Sequence, residues 1–188
     1  MNAPLSFPNQ VREQVNHLLA NGVAALGLLF DLTAQRLVRF ATTIAGCQPD
    51  SEDAVQAVLT RLAANPQLIA DAVCPWAYLL RMVRNEVLAN MRRQRRCTTG
   101  TDLRDLVTHC PVDELERQES YRAVWSSLRA LPADQAEVIV LKIWEGLTYA
   151  EIGEILELSP NTVASRYQYG MQKLSNKLTK LQARVSHE

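Results

Sequence analysis

Apolar residues recur three and four positions apart through Val11 to Leu19, Val23 to Ile44, Ser51 to Ala64 and Pro75 to Arg96, and no segment of any length alternates apolar with polar. That spacing lines one face of a helix, where alternation would mark a strand. Gly46 to Asp50 (GCQPD) closes the second helix, Asp50 or Ser51 caps the third with acids in its first turn, and Asn65-Pro66 ends it. The strong period lapses from Cys97 to Pro111 (CTTGTDLRDLVTHCP) and resumes through Tyr121 to Leu131, after an acidic helix start, VDELERQES. Pro132 at a first-turn position opens ADQAEVIVLKIWEG, and Gly146 ends it. The expected fold is all-α: two small helical domains, 1–97 and 119–188, joined by a flexible acidic linker, 98–118.

The stretch TYAEIGEILELSPNTVASRYQYG, Thr148 to Gly170, carries a second level of signal. Thr148 and Glu151 form a capping box that starts a helix at Tyr149, and Ser159 before Pro160 is an N-cap followed by a first-position proline. Only a few residues around Glu157 and Leu158 remain for a turn, which is helix-turn-helix geometry. On the second helix Val163, Tyr167, Met171, Leu174 and Leu178 form a buried stripe, while Asn161, Ser165, Gln168, Tyr169, Gln172 and Asn176 project outward. Short polar side chains near a helix N-terminus can meet base edges in a major groove, with Arg166 and Lys173 flanking toward the sugar-phosphate strands. Helical hairpins with capped ends also occur in bundles that touch no DNA.

Charge sharpens the picture only through its placement, because the chain as a whole is neutral. Arg81 to Arg96 holds six arginines against Glu86 alone, and Cys97 to Ser120 is correspondingly acidic. On a helical wheel Trp76, Leu79, Leu80, Val83, Val87 and Met91 share an arc of about 120°, and Tyr78, Arg81, Arg84, Asn85, Leu88, Arg92, Arg95 and Arg96 share the opposite one. A guanidinium stripe with a tyrosine and an asparagine in it suits phosphate oxygens and unstacked bases. A solvated face, or one paired with an acidic partner, would look the same.

Little else in the chain carries chemistry. Cys47, Cys74, Cys97 and Cys110 have no CxxC spacing, so neither a zinc site nor a disulfide framework is suggested, and His109 beside Cys110 lacks further ligands. The histidines stand apart, and neither a carboxylate pair nor a Gly-rich phosphate loop appears, so no catalytic residue, metal or cofactor is expected. The apolar run Val23 to Phe30 is too short to span a bilayer and lacks signal-type flanks, which predicts a cytoplasmic protein without membrane insertion.

Taken together, LPADQAEVIVLKIWEGLTYAEIGEILELSPNTVASRYQYGMQKL and, upstream, DSEDAVQAVLTRL followed by PWAYLLRMVRNEVLANMRRQRR resemble the small alternative sigma factors of bacterial RNA polymerase, the extracytoplasmic-function type of the sigma-70 family. The resemblance covers about residues 12–180. It implies a factor that binds core RNA polymerase, directs it to two promoter elements, helps open the duplex and is released after initiation. Asp50, Glu52, Asp53, Val55 and Gln56 would dock on the beta-prime clamp helices. Trp76, Tyr78, Arg81, Arg84, Asn85, Arg92, Arg95 and Arg96 would hold the minus-ten element, with a flipped base captured by the loop from Asn65 to Cys74. Ser159, Asn161, Thr162, Ala164, Ser165, Arg166, Gln168, Tyr169 and Lys173 would read the minus-thirty-five element. The linker would thread toward the polymerase active centre. The beta flap and an inhibitory anti-sigma factor are further implied partners.

Three positions depart from the family pattern: Ala164 and Tyr169 stand where basic residues are common, and Glu157 replaces a turn glycine, forfeiting its easy left-handed conformation. Upstream affinity is therefore expected to be modest. Two other readings fit parts of the chain: an autonomous dimeric helix-turn-helix regulator, and a helical adaptor whose basic helix meets an acidic protein.

Overall fold

The computed structural model describes residues 6–97 and 119–185, which fall into two compact units on either side of the intervening segment. The N-terminal unit comprises α1 (Phe7–Asn21), α2 (Leu26–Ala45), α3 (Gln48–Ala64) and α4 (Pro75–Cys97), with short 3-10 turns at Gly22–Ala25 and Pro66–Ile69. Helix α2 packs on α3 and α4, α3 on α4, and α1 closes the bundle over α2 and α4. The core between them is Val11, Val15 and Leu18 from α1, Leu29, Leu37 and Phe40 from α2, Val58 and Leu62 from α3, and Trp76, Leu79, Leu80 and Val83 from α4, all nearly or fully buried. These are the residues that the three-and-four spacing places on single helix faces.

Two local expectations need correction. The third helix starts at Gln48, earlier than a cap at Asp50 or Ser51 would allow. Its N-cap, Cys47, contributes no side-chain bond, and Pro49 sits in the first turn. Ser51 is buried instead: its hydroxyl donates to the Cys47 carbonyl at 2.6 Å and lies 3.1 Å from the Thr42 hydroxyl, pinning the α2–α3 corner. The apolar stretch is also longer than Val23 to Phe30. Within Phe7–Ala45 a stretch of 18 residues is apolar enough, by length and composition alone, to match a membrane span, a property that core helices share. Here the helical run breaks at Gly22, and α2 presents Leu29, Leu37, Phe40, Ala41 and Ile44 to the bundle core.

The C-terminal unit comprises α5 (Glu119–Arg129), α6 (Ala133–Ile143), α7 (Tyr149–Leu156) and α8 (Pro160–Val185). Leu128, Leu131, Ala136, Ile139 and Leu174 form its centre, with Val124, Trp125, Trp144, Tyr167, Met171 and Leu178 packed around them. Pro132 is the N-cap of α6, one position before the helix proper. Helix α8 approaches α6 at Gly170, where a Cβ would lie 2.9 Å from Ile139 Cδ1 and 3.2 Å from Gln135 Cβ. Gly153, mid-helix in α7, is tighter still, since a Cβ there would lie 2.6 Å from the Leu158 carbonyl oxygen.

Gly153→Ala should therefore lower stability by about 1–3 kcal/mol, because the obstacle is backbone and cannot rotate away. Gly27→Ala, in α2 with nothing within 4 Å of the added carbon, should raise it by about 0.5–1 kcal/mol. Urea unfolding followed by circular dichroism separates the two outcomes.

Candidate nucleic-acid and polymerase interfaces

Burying Trp76, Leu79, Leu80, Val83 and Val87 fixes the rotation of α4 about its axis. Its opposite face consequently presents Arg81, Asn85 and Arg92 to solvent, with Tyr78, Arg84 and Leu88 half-buried among them. The lone acid of this helix, Glu86, is turned aside: its carboxylate accepts from Arg61 of α3 at 2.7 Å and from Arg93 at 2.9 Å. Arg93 also donates to Asn90 at 2.6 Å, so it holds Glu86 from within α4 while Arg61 ties that carboxylate to α3. No other acid occurs in the sequence of α4. The side chains of Arg95 and Arg96 lie outside the described residues.

Trp76 does not belong to this surface. It is fully buried, edge-on to Phe7 of α1 with ring centroids 4.9 Å apart, while the Arg36 guanidinium covers the same Phe7 ring at 3.8 Å. An indole enclosed in this way is a core residue and has no free face to stack on a base. The loop before α4 is held from below by Ile69, fully buried, and from the side by Arg12, whose guanidinium donates to the Val73 carbonyl. The Val73 side chain projects into solvent.

On α3, Asp53 and Gln56 are exposed, Asp50 and Glu52 half-buried, and Val55 only 2% exposed. Val55 is thus a bundle residue, packed inward because it lies one position from Ala54 and three from Val58 on the apolar face. Asp50 accepts from Gln94 of α4 at 3.3 Å, and Glu52 from Gln48 at 2.5 Å. Burial, followed by the neighbouring Asp50, raises the Cys47 thiol above its usual pKa, so it stays protonated near neutrality.

In the C-terminal unit the capping box forms as the spacing predicts. The Glu151 N–H donates to Thr148 Oγ1 at 3.2 Å, and the Thr148 N–H donates to the Glu151 carboxylate at 2.7 Å. Ser159 caps α8 by accepting from the Thr162 N–H at 3.1 Å. Between the helices Glu157 takes φ 59°, ψ 45°, and the Leu158 N–H donates to the Gly153 carbonyl at 2.9 Å. Glu157 therefore enters the left-handed conformation that its side chain was expected to forfeit. It is the single non-glycine residue with positive φ among the described residues. Gly153 went unremarked in the sequence, although an isolated glycine inside a helical pattern is a signal of close backbone approach.

Along α8, Asn161, Thr162, Ser165, Gln168, Tyr169 and Lys173 are exposed, Ala164 and Arg166 half-buried, and Val163 fully buried. Arg166 lies 3.5 Å from Asp134 of α6, an ion pair with both partners partly in water. Ser159 is exposed at the helix start. A capped two-helix corner with a neutral polar face and cations at its side is the arrangement that enters a DNA groove.

Comparison with known proteins decides the family. The sigma-70 region 2 model matches residues 29–97, and the sigma-70 region 4 model matches 121–174. The chain belongs to the sigma-70 family, extracytoplasmic-function type. It is 28% identical over 171 residues to the ECF RNA polymerase sigma factor SigL of Mycobacterium tuberculosis, covering 89% of this chain and 97% of that one. The ECF RNA polymerase sigma-E factor of Haemophilus influenzae is 37% identical over a shorter span, 44% of this chain and 42% of its own. Among solved structures, sigma factor RpoE in complex with anti-sigma factor NepR from Bartonella quintana aligns with a TM-score of 0.65 at 26% identity, over 81% of this chain and 94% of that one. CnrH, solved with the cytosolic domain of CnrY, shares the fold with a TM-score of 0.61 at 22% identity, over 91% and 98%. This sigma factor thus binds core RNA polymerase and promoter DNA and directs transcription initiation.

The left-handed residue in the sigma factor's turn gives a measurable strain. A side chain in this conformation costs roughly 1–2 kcal/mol, so Glu157→Gly should be more stable than Glu157→Ala by about 1 kcal/mol in urea unfolding. Equal stabilities would mean that the turn relaxes.

Proposed function

We propose that the two units divide the work of initiation by helix face. In the N-terminal unit, residues 1–97, Asp50, Glu52, Asp53 and Gln56 of α3 dock on the beta-prime clamp helices of core polymerase. Tyr78, Arg81, Arg84, Asn85 and Arg92 of α4, continued by Arg95 and Arg96, hold the unwound minus-ten strand beside the loop from Asn65 to Cys74. Separating a base from its stack costs a few kcal/mol, and contacts available only to single strand offset that cost. In the C-terminal unit, residues 119–188, α8 enters the minus-thirty-five major groove while the unit rests on the beta flap. Residues 98–118 thread toward the active centre of the polymerase, where catalysis resides; the sigma factor itself contributes no chemistry. It works in the cytoplasm, and an anti-sigma protein, of the kind that RpoE binds, keeps it from polymerase until needed.

The observation that carries this reading is the cationic face of α4, held opposite a buried apolar face on a helix whose one acid, Glu86, is paired with Arg61 and Arg93.

Arg81→Ala combined with Arg84→Ala should reduce open-complex formation, read by permanganate reactivity, by about tenfold or more. Affinity for core polymerase, read by fluorescence titration, should stay within about twofold. Loss of core binding instead would make the face a protein contact. Asp53→Ala with Gln56→Ala should do the reverse, weakening core binding by roughly fivefold or more in a chain that remains folded.

A further inference from the structure

The recognition helix carries a chemical bias of its own. At about 100° per residue, Asn161, Ser165, Gln168 and Gln172 fall within roughly 60° of one another on α8, and all four are exposed. None is charged. The hydroxyls nearby are spent on the helix: Ser165 Oγ donates to the Asn161 carbonyl at 3.0 Å, and Ser159 Oγ accepts the Thr162 N–H and lies 2.9 Å from Thr162 Oγ1. The Asn161 and Gln168 amides, by contrast, make no hydrogen bond to the described residues. The cations sit to one side, with Arg166 against Asp134 at 3.5 Å and Lys173 more than two turns beyond Ser165.

Base edges in a major groove sort these groups. Guanine shows two acceptors, N7 and O6, and takes arginine or lysine, whereas adenine pairs an acceptor N7 with an N6 donor and takes the acceptor-donor pair of a side-chain amide. A bare methyl such as that of Ala164, half-buried at the other flank, suits the thymine methyl. We infer that α8 reads adenines, through Asn161 and Gln168, and that the upstream element of this sigma factor is specified by A·T pairs at those positions in place of G·C pairs read by cations. Seven residues along a helix span about 10.5 Å, well beyond the rise of about 3.4 Å for one step, so the two amides meet different base pairs of the same groove. This inference rests on the placement of α8 in the upstream groove proposed above.

The test uses holoenzyme assembled from the full chain and bacterial core polymerase, selecting from a promoter library randomised over the upstream element. The expected result is a preference for adenine at two positions of the element. Replacing either with 7-deazaadenine, which lacks N7, should weaken binding about 5- to 100-fold. Gln168→Ala and Asn161→Ala should each abolish the preference at one position and its sensitivity to 7-deazaadenine there, leaving the other unchanged. Both residues are exposed and outside the caps, so circular dichroism should show folded variants. A retained upstream footprint with G·C selected, or with adenines indifferent to 7-deazaadenine and to both substitutions, overturns the amide reading alone. Absence of any upstream footprint or preference overturns it together with the groove placement.

Discussion

The N-terminal unit depends on the burial of one face of α4. Trp76, Leu79, Leu80, Val83 and Val87 are each almost wholly withdrawn from water, and burying side chains of this size contributes about 1.5–3 kcal/mol apiece. Exposed ion pairs contribute at most about 1 kcal/mol. The apolar side therefore sets the rotation of the helix, and the arginines go where it leaves them. The one acid on the helix is recruited to α3 through Arg61, which leaves the outer face cationic.

A similar hierarchy operates in the C-terminal unit, where backbone geometry takes the role that burial plays in α4. The helix-turn-helix corner is closed by a capping box, a serine cap, a glycine without room for a Cβ and a glutamate in the left-handed region. Each restricts the chain within a few residues, and together they fix which side chains of α8 face outward.

Most of the helical architecture was legible in the spacing of apolar residues, because a helix in a two-unit protein must bury one stripe and the stripe is visible at three and four intervals. The amphipathic split of Pro75 to Arg96 and both caps of the helix-turn-helix emerged as the sequence indicated. What escaped the sequence depends on tertiary surroundings. A wheel shows which arc Trp76 occupies but not that Phe7, far away in the chain, seals its ring. Val55 sits between exposed Asp53 and Gln56 but belongs to the buried stripe of α3 with Ala54 and Val58, so it is not available to a partner. Glu157 was judged by its intrinsic reluctance to be left-handed, and the flanking caps outweigh that local cost.

The central claim is that α3 and α4 present separate faces, one to polymerase and one to promoter DNA. Photo-crosslinking amino acids placed singly at Gln56 and Asn85, both exposed, test it in the assembled holoenzyme on a promoter. A probe at position 56 should crosslink to the beta-prime subunit, and one at 85 to the non-template strand in the minus-ten region. Crosslinks from position 85 to polymerase alone, or from position 56 to DNA, would contradict the division of the bundle into these two faces.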